Sequence, residues 1–215
     1  MKIRTICFIW ALLASLPMFF GACGVKPVKQ SEPQAKGGMT LMQALKERKS
    51  TREFSSREIP SAVLSEMLWA ADGINRPESG HRTAPSTMNV QEIDIYVAKA
   101  DGMYLYDAKA NTLTPVLSDD IRALTGMQAF VKDAPVNLIY VADYSRMSRM
   151  SDKDKEFYSA ADTGFISQNV YLYCASAGLA TVVRAMIDRP ALAKAMNLRP
   201  EQKIILAQTV GYPKE

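Results

Sequence analysis

Residues 136–142 read VNLIYVA, a nearly continuous apolar run that directly follows Pro135. Such a run is typical of a β-strand covered on both faces, because a half-exposed strand alternates apolar and polar residues. Residues 203–210, KIILAQTV, form a second run of the same kind. The two runs predict central strands of a sheet.

Helical and strand patterns around these runs predict an α+β or mixed α/β domain. The predicted helices run from Thr40 to about Arg48, from Ser61 to Gly73, from Lys155 to Ala177 and from Asp188 to Asn197. Their signals are a capping box, apolar residues at intervals of three and four, and terminal glycines. Alternation over residues 92–98 predicts a strand with one wetter face, and residues 103–106 and 112–116 predict a hairpin.

The first 23 residues predict export from the cytoplasm. Lys2 and Arg4 precede an apolar run over residues 6–20, which ends at two small residues just before Cys23. This pattern is typical of a secretory signal and is too short for a stable membrane span. A cysteine in this position resembles the lipobox of bacterial lipoproteins, in which the cysteine is lipidated. The alternative is an ordinary signal peptide cleaved nearby, which leaves Cys23 a free thiol.

The rest of the chain divides into a tether and one domain. Residues 1–22 are the predicted signal peptide, residues 23–38 a flexible tether rich in Pro, Gly and Lys, and residues 39–215 the folded domain. Loss of the signal peptide lowers the formal net charge from +4 to +2, which gives no electrostatic case for a nucleic-acid partner. No acidic residue directly follows Cys23, and by resemblance to lipoprotein sorting signals we expect a membrane-anchored domain that faces the periplasm.

Cysteine and histidine usage excludes several kinds of site. Cys174 would be the remaining unmodified cysteine, so no intramolecular disulfide is available, and its apolar surroundings favour a buried structural thiol over a nucleophile. His81 is the single histidine, so one chain cannot assemble a His-based metal cluster. The sequence contains no phosphate-binding Walker pattern and no G-x-S-x-G nucleophile elbow.

Two polar clusters are candidate binding segments. Residues 48–52, RKSTR, place three cations and two hydroxyls where the first predicted helix ends. Such a group can hold a phosphate through charge-assisted hydrogen bonds, although a basic helix C-terminus is also common without a ligand. Residues 80–91, GHRTAPSTMNVQ, gather hydroxyl and amide groups ahead of a predicted strand. These groups could bind a heteroaromatic edge or form turns.

Taken in order, these segments resemble the nitroreductase family of FMN enzymes over about residues 40–213. The R-x-S-x-R pattern at residues 48–52 is similar to the family's phosphate grip. Four stretches resemble the branch related to thiazole- and oxazole-forming oxidases: RTAPS at 82–86, IDIYV at 93–97, GMYLYD at 102–107 and NTLTPV at 111–116. Residues 161–183 resemble the family's long central helix and the Gly-Leu turn after it, and VGYP at 210–213 resembles its closing strand.

The resemblance implies an FMN site shared between two subunits. The residues implied at the phosphate and ribityl chain are Arg48, Lys49, Ser50, Arg52 and Lys214. The residues implied at the isoalloxazine ring, from the second subunit, are Pro85, Ser86, Thr87 and Asn89. The residues whose backbone amides are implied near flavin N5 are Val183, Arg184, Ala185 and Met186. The chain departs from the family pattern at Ala185, where many members carry an acidic residue, and after VGYP, where most continue with basic residues.

The same resemblance implies a three-layer α+β fold, in which helices flank a mainly antiparallel central sheet and the long helix lies at the interface of a homodimer. That helix carries more apolar residues than one flank of a monomer needs, among them Phe157, Phe165, Ile166, Val170 and Tyr171. The implied activity is electron transfer from NAD(P)H to a small planar oxidised acceptor, nitroaromatic or quinone-like. The alternatives are a lipid-anchored flavin- or ligand-binding protein without nicotinamide-dependent turnover, and a scaffold without a cofactor.

Overall fold

The computed structural model describes residues 26–31 and 38–214. The predicted signal peptide, residues 1–22, and the predicted lipidation site, Cys23, lie outside the described residues. The described residues confirm the expected fold: a mainly antiparallel central sheet with helices against its faces and one long helix.

The strands of the central sheet are β1 (Val28–Lys29), β4 (Ile93–Lys99), β5 (Gly102–Asp107), β6 (Thr112–Leu117), β7 (Val136–Asp143), β8 (Ala180–Arg184) and β9 (Gln202–Gly211). These seven strands of the described residues lie in the order β1-β6-β5-β4-β7-β9-β8, and every neighbouring pair is antiparallel. A separate ribbon pairs β2 (Ile74–Arg76) with β3 (His81–Arg82). The α-helices are α1 (Leu41–Glu47), α2 (Ser61–Asp72), α3 (Asp152–Ser176) and α4 (Arg189–Ala195).

Strand β7 is the centre of the domain, and it is buried over its whole length, as the apolar run predicts. Leu138 and Tyr140 pack in the apolar cluster that contains residues of α2 and α3. Ile139 and Val141 point to the opposite face, into the cluster that contains residues of α4. Because successive side chains of a strand point to opposite faces, one continuous apolar run can serve both layers.

Strand β4 departs from the prediction of a wetter face. Tyr96 and Ala98, on the side expected to be wetter, are buried in the same cluster as α4. The alternation was misleading because the Tyr96 hydroxyl reaches a polar partner, Gln202, while its ring stays buried.

The predicted helix ends agree with the structure to within a few residues. Thr40 caps α1 as a capping box: its Oγ1 accepts the Gln43 N–H at 3.3 Å, and Gln43 Oε1 accepts the Thr40 N–H at 3.0 Å. Helix α3 begins three residues earlier than predicted, because Ser151 Oγ accepts the Asp154 N–H at 3.2 Å and caps it there. Gly178, at φ +67°, follows its end.

Residues of the predicted tether add a strand to the sheet. The two residues of β1 pair with Thr112 and Leu113 of β6. The side chain of Gln30 is buried, and its backbone N–H donates to the Asn111 carbonyl at 2.8 Å. The stretch predicted as a flexible tether therefore contains an ordered segment, which sequence composition did not indicate. In the part of the chain that the structure describes, no helix combines the length and apolar character needed to cross a membrane.

Gly102, at the start of β5, is required by the geometry of the hairpin. Its φ is +134°, and an added Cβ would lie 2.4 Å from the carbonyl oxygen of Leu117 on the neighbouring strand.

We expect Gly102→Ala to lower the free energy of unfolding by about 3 kcal/mol, because the backbone strain and the clash add. Urea denaturation measures this loss. Gly178→Ala is the control: its φ is also positive, but no atom lies within 4 Å of the added Cβ, so we expect a loss of about 1 kcal/mol. Equal losses in the two variants would contradict the steric argument.

Candidate functional site

The hydroxyl of Tyr171, on α3, joins two of the predicted segments. It lies 2.8 Å from Ser50 Oγ and accepts the backbone N–H of Val183 at 2.9 Å. The guanidinium carbon of Arg48 lies 5.3 Å from the centre of the Tyr171 ring, in cation–π contact. Helix α3 therefore places residues 48–52, named here the basic segment, directly beside β8.

Backbone contacts hold the basic segment against the edge of the sheet. The Thr51 N–H donates to the Thr181 carbonyl of β8 at 3.0 Å. Just beyond Arg52, the Glu53 carbonyl accepts the Lys214 N–H at 3.4 Å. The structure therefore brings Lys214 next to the segment with which the sequence grouped it.

The cations of the basic segment have no charge partner within the described chain. Arg48 is half-buried, and Lys49 and Arg52 are exposed. Among the described residues, no carboxylate forms an ion pair with these three side chains or with Lys214. Uncompensated positive charge in one place favours an anionic ligand.

Arg184 differs from these cations because its side chain points into the protein. It is 4% exposed, and burial lowers its pKa to about 10. Its guanidinium donates to Thr209 Oγ1 at 3.0 Å, to the Thr125 carbonyl at 2.9 Å and to Asn137 Oδ1 at 3.0 Å. These neutral acceptors tie β8 to the core, so the Arg184 side chain has a structural role.

The backbone around Arg184 offers fewer free amides than the sequence implied. The Val183 N–H is already committed to Tyr171, as described above. Ala185 and Met186 are exposed, and they follow the end of β8 directly. The backbone of Ala185 and Met186 is therefore the part of this predicted group that a ligand could reach.

Residues 85–91, named here the polar loop, have an unusual backbone. Three non-glycine residues are left-handed: Met88 at φ +48°, Asn89 at φ +56° and Gln91 at φ +50°. Two contacts hold this conformation near the predicted site residues. The Thr87 N–H donates to Asp162 Oδ2 of α3 at 2.8 Å, and Ser86 Oγ accepts the Gln91 N–H at 3.0 Å.

The polar loop and the basic segment contact opposite sides of α3. The loop is anchored at Asp162 and the segment at Tyr171, nine residues later. At 3.6 residues per turn, nine residues are half a turn around the helix and about 13 Å along it. A single chain therefore does not bring Pro85, Ser86, Thr87 and Asn89 together with the basic segment.

Sequence reasoning missed a group of buried carboxyl groups behind the polar loop. Asp72 forms an ion pair with Arg82, and burial raises the pKa of Asp72 to about 7 although Arg82 opposes the shift. Glu92 is fully buried against Asp162, and burial raises the pKa of Glu92 to about 7. These residues are far apart in the chain, so no sequence motif contains them together. The one local signal of a buried carboxyl group is Glu92 itself, an acidic residue directly before the apolar strand β4.

The single histidine and the buried cysteine take no part in this arrangement. His81 Nδ1 lies 2.6 Å from Ser79 Oγ on the ribbon. Cys174 is a free, buried thiol whose pKa is raised by burial, as expected of a structural cysteine. Within residues 26–31 and 38–214, no group of three or more His, Cys, Asp or Glu side chains could hold a metal ion.

Helices α1 and α3 are in contact and both carry exposed apolar side chains, named here the apolar surface. Phe157 is 67% exposed and Phe165 47% exposed, and Leu41, Met42 and Leu45 of α1 are exposed as well. Ile166, Val170 and Tyr171, predicted from the sequence to belong to this surface, are buried within the chain instead. They point toward the sheet because they lie on the other side of α3.

Comparisons with known proteins point to one family. The model of the Nitroreductase family matches residues 45–212. A protein of Methanocaldococcus jannaschii that is assigned as a nitroreductase is 33% identical over 152 residues, which cover 66% of this chain and 76% of that protein. A crystal structure from Ralstonia eutropha JMP134 with the same assignment is 45% identical, with a TM-score of 0.85, and covers 88% of this chain and 90% of that chain.

A more distant solved structure shares the fold. It is a protein of Desulfovibrio desulfuricans, also assigned as a nitroreductase and crystallised in complex with FMN. It is 22% identical to this chain, with a TM-score of 0.60, and covers 82% of this chain and 88% of its own.

Proposed function

Because this chain belongs to the nitroreductase family, we propose that its domain binds FMN and transfers electrons from NADH or NADPH to a small oxidised acceptor, nitroaromatic or quinone-like. The observation that carries this proposal is the basic segment, which Tyr171 holds beside β8 through Arg48 and Ser50 and whose cations have no carboxylate partner among the described residues. The Desulfovibrio protein of the same fold, crystallised with FMN, supports the choice of cofactor. Membership of the thiazole-forming branch is part of the proposal and is supported by the sequence motifs alone.

The basic segment fits the phosphate end of FMN. A phosphate carries close to two negative charges and accepts several hydrogen bonds, and Arg offers it a two-pronged donor. Arg48 and Arg52 supply such donors, Ser50 a hydroxyl, and Lys49 and Lys214 further positive charge. Because these cations have no carboxylate partner among the described residues, binding would not require breaking an ion pair.

The flavin ring end would lie toward the residues after β8. Val183 is committed to Tyr171, so we assign the donor role toward flavin N5 to the exposed backbone at Ala185 and Met186. When bound, FMN supplies the hydride and electron chemistry, and the protein supplies position and hydrogen bonds. The site needs no acid–base dyad for this function.

We propose further that the site is completed in a homodimer. The polar loop lies on the other side of α3 from the basic segment, so one chain cannot offer both to one flavin. Two chains related by a two-fold axis can do so if they pack through the apolar surface of α3 and α1. Gly164 lies on this surface beside Phe165, with open space where its side chain would be.

We expect Arg48→Ala and Arg52→Ala each to weaken FMN binding about ten- to a hundredfold, because each removes one charge-assisted contact with the phosphate. Titration of the apoprotein with FMN, followed by flavin fluorescence, measures the affinity. Lys109→Ala, in the turn between β5 and β6, is the control, because it removes a cation at the opposite side of the sheet from β8 and the basic segment, and should leave affinity unchanged. Unchanged affinity in both arginine variants would refute the phosphate site.

Stopped-flow reduction of the wild-type flavoprotein with NADH and with NADPH tests the electron donor in the same series. A flavoprotein that neither nucleotide reduces would favour the alternative of a flavin-binding protein without nicotinamide-dependent turnover.

We expect Phe165→Glu to convert the dimer into monomers, because a buried charge without a partner would oppose association across the apolar surface. Light scattering at micromolar concentration measures the mass. Val116→Glu is the control: it places the same charge on another exposed apolar residue, on β6, and should stay dimeric. A monomeric wild-type protein with FMN bound would overturn the shared site.

For localisation, we propose that Cys23 carries lipid and anchors the domain to a membrane on its periplasmic side. The support is the sequence pattern of residues 2–23. Four residues separate Cys23 from β1, so even a fully extended chain would keep β1 within about 17 Å of the anchored residue. The domain would therefore lie close to the lipid surface.

We expect Cys23→Ser to move the protein from the membrane fraction to the soluble fraction, because stable anchoring requires the acyl chains. Cell fractionation and immunoblotting measure the distribution. Cys7→Ser, within the predicted signal peptide, is the control and should leave the protein in the membrane fraction. Equal distribution of wild type and Cys23→Ser would show that the lipobox interpretation is wrong.

A further inference from the structure

Glu92 and Asp162 form a buried pair of carboxyl groups directly behind the polar loop. Glu92 is 0% exposed, and its carboxyl group neighbours that of Asp162, whose negative charge raises the pKa of Glu92. Among the described residues, no N–H or hydroxyl of another residue donates to either Glu92 oxygen. Two buried carboxyl groups in this relation must share a proton, because two adjacent carboxylates repel and neither is solvated.

The contacts of Asp162 decide which group holds the proton. Asp162 Oδ2 accepts the Thr87 N–H at 2.8 Å, and this bond favours the ionised form of Asp162. No other described residue donates a hydrogen bond to the Glu92 carboxyl group, and burial outweighs the effect of its own backbone N–H and raises its pKa from an ordinary value of 4.5 to about 7. Glu92 is therefore the protonated partner, and its hydroxyl donates to Asp162.

The neighbouring charges do not neutralise this pair. The titratable and charged groups around it are Asp72 on α2, Arg82 on β3, Asp94 on β4, and Tyr144 and Arg146 after β7. Arg82 is bound to Asp72 and Arg146 to Asp94, so each arginine already has a carboxylate. Asp72 adds negative charge that raises the pKa of Glu92 further.

The carboxyl pair is hydrogen-bonded, through Asp162, to the strained backbone of the polar loop. The left-handed conformation at Met88, Asn89 and Gln91 is disfavoured for residues with side chains, so it needs contacts that hold it. The bond from Thr87 to Asp162 is the contact that ties the loop to α3. If Glu92 lost its proton, repulsion within the pair would weaken that tie.

We propose that Glu92 is a positioning residue: its proton, shared with Asp162, holds the polar loop in the shape that presents Ser86 and Thr87 to the flavin. The part that concerns flavin rests on the proposed function. Loss of the proton as the pH rises would release the loop and weaken FMN binding, and the pair would make cofactor retention depend on pH near neutrality.

The first test needs no cofactor. We expect the Thr87 amide proton of the full-length apoprotein to shift in NMR spectra as the pH passes through about 7, and to stay constant in Glu92→Gln. Glutamine keeps the size of Glu92 and can donate to Asp162, but it cannot titrate. Asp72→Asn is the control, because it removes a different carboxyl group and should keep the Thr87 titration. Absence of a titration in wild type, or the same titration in Glu92→Gln, would overturn the proposal.

The second test measures FMN affinity between pH 6 and 8.5. We expect wild type to lose affinity with rising pH by about threefold or more relative to Glu92→Gln, and the comparison cancels the ionisation of the FMN phosphate itself. Parallel profiles would refute the role toward flavin. If FMN does not bind at any pH, the proposed function fails, and the Thr87 titration still decides whether the pair holds the loop.

The pH dependence of the free energy of unfolding provides a second measurement of the Glu92 titration if the NMR spectrum of one variant cannot be assigned. The pKa of Glu92 is higher in the folded state than its ordinary value of 4.5, so deprotonation disfavours the folded state. Wild type should therefore lose stability relative to Glu92→Gln as the pH rises from about 4.5 to about 7, and the difference should then stay constant. If Glu92→Gln does not fold, Asp162→Asn removes the neighbouring carboxylate and should shift the same pH dependence to lower pH, while burial keeps the pKa of Glu92 above 4.5. A difference that does not change with pH would contradict the shared proton.

Discussion

The packing of α3 against the central sheet is the constraint on which both parts of the site depend. Ile166, Val170 and Cys174 recur every four residues along α3 and pack in one cluster with residues of β7. This contact fixes the rotation of the helix about its own axis. It therefore also fixes the directions of Tyr171, which anchors the basic segment, and of Asp162, which anchors the polar loop. One buried row of side chains thus orients two surface segments that lie half a turn apart.

The charged groups of the basic segment lie at the surface, whereas those behind the polar loop lie in the interior. In the basic segment the cations lie at the surface with no carboxylate partner among the described residues, so their charge is available to a ligand. Behind the polar loop the carboxyl groups are buried or half-buried, and two of them are matched by an arginine, Asp72 by Arg82 and Asp94 by Arg146. The unmatched pair, Glu92 and Asp162, stays in the interior only because a proton replaces the missing cation. Affinity for an anion and stiffness of a loop thus arise from separate electrostatic arrangements.

Elements with a local signal could be predicted from the sequence, and elements that depend on distant partners could not. The capping box at Thr40 and the apolar run of β7 are properties of neighbouring residues, and both are confirmed. Strand β8 was not predicted as a separate strand because it directly follows the Gly-Leu turn and is too short for a clear period. For the candidate site, motif order grouped the basic segment with β8 and Lys214, but Glu92 and Asp162 are 70 residues apart and only the fold brings them together.

Strand β1 also has a consequence for the behaviour of the protein in solution. It covers Thr112 and Leu113 on the outer strand of the sheet, and Pro115 farther along that strand has no N–H to offer a neighbour. At the opposite edge, Thr51 donates to β8. Open strand edges invite pairing with other chains and lead to aggregation. A shortened protein that begins at residue 39 would keep its core but would expose the edge of the sheet at β6. The segment before the domain therefore also protects the domain from self-association.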